Sequence, residues 1–213
     1  MPGLGLGEQE RLRAARVHVV GAGAVGGPAL FCLAQAGVGT LYVDDGGDIA
    51  EEDATSWLYP AEQIGQPRLF AALDALRNAS AFVKVRPYGT TGVHPTATLV
   101  CLTGRSAARA AAERARLSGL PHVVALPEGE GGEVVAVPSG APCFGCASRS
   151  ATSLGPRGSA AATVGLLGAL EMLLMLSGLV ATQESGRRIR LELGLPQVQP
   201  TSRIPGCDCV HVY

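Results

Sequence analysis

The chain has 213 residues and a mass of 21.7 kDa, the span of one ordinary or large domain and short for two. Hydrophobic residues make up 47% and charged residues 16%, with a mean hydropathy of +0.25, which excludes disorder as the overall state. Seventeen Lys and Arg against eighteen Asp and Glu leave a net charge of −1, so no global field gathers nucleic acid or an acidic membrane, and neither is an expected partner.

Residues 1–16 carry glycine and charge but no apolar signal core, so a cytoplasmic chain is expected. Residues 17–20 read as a strand ending in Gly21, residues 26–36 as a helix, and residues 41–43 as a second strand closed by Asp44 and Asp45. A helix over 61–81, strands over 82–87 and 98–102, an Ala/Arg helix over 106–117 and a strand over 122–126 continue the alternation. That order predicts a largely parallel sheet covered on both faces. Beyond Pro127 come a Gly/Glu turn, a strand over 133–137, a cysteine-bearing loop, a long helix, a late strand over 188–193 and a Pro-rich tail. The apolar stretch 160–182 is long enough to imitate a membrane span. Glu171 at its middle and Gly165, Gly168 and Gly178 along it favour a buried or interface helix.

Gly21, Gly23 and Gly26 fit G-x-G-x-x-G directly after a strand and opening a helix. Glycines let the backbone approach a phosphate, and the helix N-terminus offers unpaired N–H groups and partial positive charge. Asp45, at the end of the second strand, is placed to accept hydrogen bonds from ribose hydroxyls. The motif implies a nucleotide and leaves NAD, FAD and ATP open.

Six cysteines are present. Cys143 and Cys146 form Cys-Phe-Gly-Cys, and Cys207 and Cys209 form Cys-Asp-Cys. Two close pairs suit a structural zinc with a filled tetrahedral shell, the alternatives being a redox pair or unlinked thiols. Cys32 and Cys101 lie within a helix and a strand and read as small core residues. The four histidines, His18, His94, His122 and His211, show no ligand or base spacing, and Trp57 with its neighbours reads as an apolar island in an acidic loop.

Taken together these residues resemble the ThiF/MoeB/HesA family, the bacterial relatives of ubiquitin-activating enzymes. The resemblance runs from Arg16 through the glycine turn to Asp45. It continues through Ile64-Gly65-Gln66-Pro67-Arg68, Ala141-Pro142-Cys143-Phe144-Gly145-Cys146, the helix around Glu171 and Pro205-Gly206-Cys207. It implies a single doubly wound, Rossmann-like α/β domain over 1–213, with a nucleotide-binding half (1–126) and a zinc-stapled half for dimerisation and carrier binding (127–213). It selects ATP over NAD and implies adenylation of the C-terminal carboxylate of a small ubiquitin-like sulfur carrier or peptide ending in Gly-Gly, by a homodimer. Gly21, Gly23 and Gly26 would approach the nucleotide and Asp45 would hold the ribose. Arg68 stands where the family has a phosphate-contacting lysine, and Arg109 keeps a later family arginine.

The chain departs from the family at three places. No basic residue lies between Asp45 and Arg68, where the family has an Asn-Leu-x-Arg-Gln stretch; Thr103-Gly104-Arg105 replaces Thr-Asp-Asn, whose Asp serves magnesium; and the N-terminal helix bearing a further arginine is shortened or absent. Two expectations follow. Either Arg105 supplies part of the missing positive charge, with an arginine of a partner subunit entering the site, and adenylation survives, or the fold has become a module that binds a partner protein, peptide or nucleotide without adenylating it. Residues 147–162 contain no cysteine, so no covalent carrier intermediate is expected.

Overall fold

The computed structural model describes residues 5–54, 58–92, 94–148, 159–179, 186–192, 195–207 and 209; Trp57, His211 and the 149–158 segment lie outside them. A short helix α1 (Leu6–Ala14) leads into strand β1 (Arg16–Val20), helix α2 (Gly26–Gln35) and strand β2 (Thr40–Asp44). Helix α3 (Arg68–Ala79), strands β3 (Lys84–Pro87) and β4 (Ala97–Cys101), helix α4 (Arg105–Leu117) and strand β5 (His122–Glu128) follow. The second half adds β6 (Gly131–Val137), α5 (Phe144–Ala147), α6 (Ala160–Ser177), β7 (Arg187–Glu192) and β8 (Leu195–Pro200).

Among the described residues the eight strands form one sheet in the order β3-β2-β1-β4-β5-β6-β7-β8. The first five are parallel, and β6, β7 and β8 extend the edge as an antiparallel meander. The order reverses between β1 and β4, and the carboxyl ends of strands at such a switch point open the crevice where α/β sheets bind ligands. β4, buried at every position, lies at that centre, as expected for a parallel strand covered on both sides. Helices α2, α3 and α6 cover one face with the larger core, and α4 covers the other with a smaller, alanine-rich one. Leu30 and Leu33 of α2 are fully buried, worth about 1.5–3 kcal/mol each.

α6 is long and apolar enough to cross a membrane by length and composition, yet here it packs on α2 and on β4, β5 and β6. Its glycines permit that approach: a Cβ on Gly165 would lie 2.0 Å from the Val25 carbonyl oxygen, and one on Gly168 would lie 2.8 Å from the Ala125 Cβ. Gly178, at φ +69°, ends the helix in the left-handed region. Glu171 is buried beneath an ion pair with Arg187 of β7.

Two predicted elements change. The single helix over 61–81 resolves into a 3-10 turn (Ala61–Gln63), an irregular segment and α3, because Gly65 takes φ +84° and Pro67 cannot continue a helix from upstream. Part of the Pro-rich tail is the edge strand β8; Pro196 and Pro200 are tolerated there because an edge strand has one side that needs no donors. The N-terminal helix is present but only nine residues long, and its Arg11 donates to the Ser177 carbonyl rather than reaching a ligand site.

Candidate functional site

The crevice opens at the carboxyl ends of β1, β2 and β4, with a volume of about 820 Å³. It is lined by Gly21 and Gly23, by Asp45, Glu52, Asp53 and Arg68, by Thr103 beyond β4, and by the first turn of α6. Gly21 has φ +92°, and a Cβ there would lie 2.2 Å from the Cys101 carbonyl oxygen, so only glycine fits between the two strands. Gly26 starts α2 so close that its Cβ would fall 1.9 Å from the Gly21 carbonyl oxygen. The turn and the helix N-terminus therefore lie where the spacing predicts, facing open volume.

Asp45 accepts the Ala22 N–H at 2.7 Å through Oδ2 and the Gly47 N–H at 2.8 Å through Oδ1. Arg68 Nη1 sits across both oxygens at 3.1 and 3.2 Å. The same guanidinium pairs through Nε with Asp53 Oδ2 at 2.9 Å and donates through Nη2 to the Asp48 carbonyl at 2.7 Å. Burial opposes the charge of Arg68, but Asp45 and then Asp53 more than offset it and hold the guanidinium more firmly protonated than usual. The pairing is delivered by the backbone. Residues 47–49 zip against 65–68 through Ile49 N–H to Gln66 O, Gly65 N–H to Ile49 O and Arg68 N–H to Gly47 O, which plants Arg68 at the start of α3 beside the end of β2.

Two residues of this arrangement escape sequence reasoning. Asp53, within the acidic loop between Asp45 and Arg68, is 2% exposed and also accepts the Ala50 N–H at 3.0 Å. Tyr59 is buried and donates its hydroxyl to the Ala22 carbonyl at 2.7 Å, pinning the glycine turn from beneath. Burial, and next the Asp45 charge, push its phenol well above the ordinary range, so it stays a donor. The only signal available for either was its residue type within an otherwise acidic or apolar stretch.

The other two arginines expected at the site are not among the described residues that line the crevice. Arg105, first residue of α4, pairs with Glu128 and with Glu133 at 2.9 Å and donates to Ser148. Glu133 is 1% exposed and also binds Arg188 at 2.8 Å. The Arg105 charge is thus taken up by a buried acidic network, and Arg105 is not among the described residues lining the crevice. Arg109 lies over Gly145, where a Cβ would meet its Nη2 at 3.0 Å, and lines a separate cavity of about 440 Å³ beside the cysteines.

Cys143 immediately precedes α5 and Cys146 lies within it, and Cys207 and Cys209 come from the chain beyond β8. All four sulfurs lie within 4.8 Å of one another, with Cys143–Cys207 and Cys146–Cys209 both at 3.8 Å. Four sulfurs at about 2.3 Å from a central ion are separated by about 3.8 Å, so the set has the spacing of a tetrahedral metal centre. The Ile204 N–H donates to Cys146 Sγ at 3.4 Å, the kind of second contact that orients a thiolate ligand. Cys101 is buried, and its surroundings push its thiol far up, in keeping with a core role; burial also raises Cys32.

The model of the ThiF family matches residues 1–207. The chain is 39% identical over 89 residues to the adenylyltransferase and sulfurtransferase uba4 of Aspergillus fumigatus, covering 41% of this chain and 18% of that protein. It is 37% identical over 86 residues to the vegetative HesA protein of Trichormus variabilis (40% and 32%), and 35% identical over 88 residues to the probable adenylyltransferase/sulfurtransferase MoeZ of Mycobacterium tuberculosis (40% and 22%). The aligned stretch thus spans less than a third of each curated relative. Among solved structures, E. coli MccB with ATP superposes at a TM-score of 0.79 and 14% identity, covering 96% of this chain and 68% of that one. The microcin C7 biosynthetic enzyme MccB with N-formylated MccA gives 0.74 at 14%, covering 96% and 70%. At such identities the likeness is one of fold.

Proposed function

The chain belongs to the ThiF family, and from that premise we propose that it binds ATP in the crevice behind Gly21 and adenylates the C-terminal carboxylate of a small carrier protein or peptide ending in Gly-Gly. The observation that carries the reading is the convergence of the glycine turn, the α2 N-terminus, Asp45 and Arg68 on one 820 Å³ volume. The fold shared with an ATP-bound MccB and the names of the relatives support it.

In the reaction a carboxylate oxygen attacks the α-phosphorus, the bond to the bridging oxygen breaks, and pyrophosphate leaves with the electron pair. Backbone N–H groups of the turn and of α2 receive phosphate oxygens, Asp45 receives ribose hydroxyls, and Arg68 meets the charge that builds on the leaving group. A magnesium ion carried on the nucleotide would meet Glu52 of the crevice lining, since Gly104 stands where the family has its magnesium-serving Asp. The four cysteines would hold a zinc ion, which supplies no open coordination position and ties the tail to α5. Such thiolates stay reduced in the cytoplasm, where this reading places the chain. Exposed Leu170 of α6, with exposed Val198 of β8 opposite Ile189 of the core that α6 covers, supports a homodimer through that side of the sheet.

A second reading, binding of a partner without adenylation, is favoured by one observation: Arg68, the only basic residue among the described residues lining the crevice, is already paired with two carboxylates. Calorimetry with ATP, followed by pyrophosphate release in the presence of candidate Gly-Gly carriers, separates the two. ATP binding with release supports adenylation. ATP binding without release selects the binding module, and binding of NAD in place of ATP overturns both.

A further inference from the structure

Asp45 has no hydrogen-bonding capacity left for a sugar. An ionised carboxylate offers about four lone-pair sites. Here Oδ1 holds the Gly47 N–H and Arg68 Nη1, while Oδ2 holds the Ala22 N–H and the same Nη1. Its side chain is 6% exposed, so no outer face remains for a new donor. The two backbone bonds build the turn itself and cannot leave without dismantling it. The contact with Arg68 is the one that can be exchanged, because the guanidinium stays charge-paired with Asp53, whose Oδ2 lies 2.9 Å from Nε and whose side chain is 3% exposed; the Nη2 donation to the Asp48 carbonyl is given up together with the Nη1 contact.

The guanidinium also lies directly over the turn. A Cβ on Gly23 would sit 3.4 Å from its Cζ and Nη1, and one on Gly47 would sit 3.1 Å from Nη1. A phosphate entering at the turn therefore arrives beside the very group that blocks Asp45, and it supplies an anion to replace the carboxylate being surrendered. A bare nucleoside supplies none, so it must break the ion pair without compensation.

We infer that Arg68 is a phosphate-operated latch on Asp45, which makes the crevice select phosphorylated nucleotides over nucleosides through the ribose carboxylate itself. This rests on the reading of the crevice as a nucleotide site. It goes beyond that reading by making the sugar and phosphate contacts interdependent: Asp45 engages ribose only after Arg68 has moved to phosphate. Because the coupling is an equilibrium one, it is reciprocal, and a phosphate chain not attached to the nucleoside operates the latch as well.

The test uses the full wild-type chain. Adenosine binding is measured by calorimetry with and without inorganic pyrophosphate, and ATP binding is measured alongside. The latch predicts that pyrophosphate tightens adenosine binding about tenfold, within the usual range of coupling between sites. Arg68→Gln, which removes the latch, should raise adenosine affinity about tenfold, lower ATP affinity about tenfold and abolish the pyrophosphate effect. If ATP binds but pyrophosphate leaves adenosine affinity unchanged or weakens it, the latch is wrong and the nucleotide reading stands. The latch is equally overturned, with the nucleotide reading intact, if Arg68→Gln weakens ATP without strengthening adenosine. If neither ATP nor adenosine binds the wild-type chain at millimolar concentration, the nucleotide reading falls and the latch falls with it.

Discussion

Glu171, in the middle of the most apolar helix of the chain, is gripped by Arg187 of β7 through Nε at 3.0 Å and through Nη2 at 2.6 and 2.7 Å. The Glu171 side chain is 5% exposed and that of Arg187 31%, so the carboxylate is the buried partner and the guanidinium reaches it from the rim. Arg187→Ala leaves a buried carboxylate without its counter-ion and should cost about 3 kcal/mol, whereas Glu171→Leu combined with Arg187→Met should be close to neutral. Urea unfolding midpoints for the two variants check both halves of the expectation.

Tyr59 supports the glycine turn by a buried hydrogen bond to the Ala22 carbonyl at 2.7 Å, with the Arg68 carbonyl a longer second acceptor at 3.5 Å. Tyr59→Phe leaves that carbonyl short of a partner, at a cost of about 1–3 kcal/mol, and loosens the residue whose N–H holds Asp45. A several-fold loss of ATP affinity should accompany the drop in melting temperature. A variant that loses stability while binding ATP as before would show the hydroxyl to be structural only.

The cysteine cluster should hold one zinc per chain, read by elemental analysis of the purified protein. Cys146→Ser or Cys209→Ser should abolish stoichiometric metal and lower the melting temperature. Because thiolate ligands compete with protons, metal should also be released progressively as the pH is lowered. Retention of full metal content in both variants would contradict a four-thiolate site.

Asp44 makes a hydrogen bond with His18 at 3.3 Å, and that contact first, with the nearby charge of Arg114 last, holds its carboxyl below the usual carboxylate range. A carboxyl whose folded value is depressed adds stability above its unfolded value of about 3.9, and this contribution disappears as the pH falls through the lower folded value. Asp44→Asn should therefore be less stable than the wild type at about pH 6, with the difference shrinking toward about pH 3. A gap that is constant with pH would assign the effect to packing.

The side of the sheet that carries α6 bears on assembly. Leu170→Glu and Val198→Glu place charges on exposed apolar positions of α6 and β8. Each should shift sedimentation toward a monomer if that face joins two copies, and a wild type that already sediments as a monomer would remove the dimer from the reading.

Much of the frame is legible from local pattern. The strand before Gly21, the helix after Gly26 and the acid ending β2 depend on periodicity and spacing within some thirty residues, and the structure places them as expected. The stretch 61–81 differs because its apolar period runs across Gly65 and Pro67, where local backbone geometry overrules the pattern. The strand β8 escapes the pattern because its prolines argue against a strand except at a sheet edge, and the position of the edge is a property of the whole sheet.

The amino-acid order by itself determined the family frame, the glycine turn and the two cysteine pairs, because close approach of backbone and short ligand spacing are written into a few adjacent residues. Only the tertiary structure decided what each arginine does. Arg68 closes on Asp45 and Asp53, Arg105 is drawn into the Glu128 and Glu133 pair, and Arg109 turns toward the cysteines. A guanidinium reaches any carboxylate that packing brings within about 4 Å, and which carboxylate that is depends on how distant strands and helices stack.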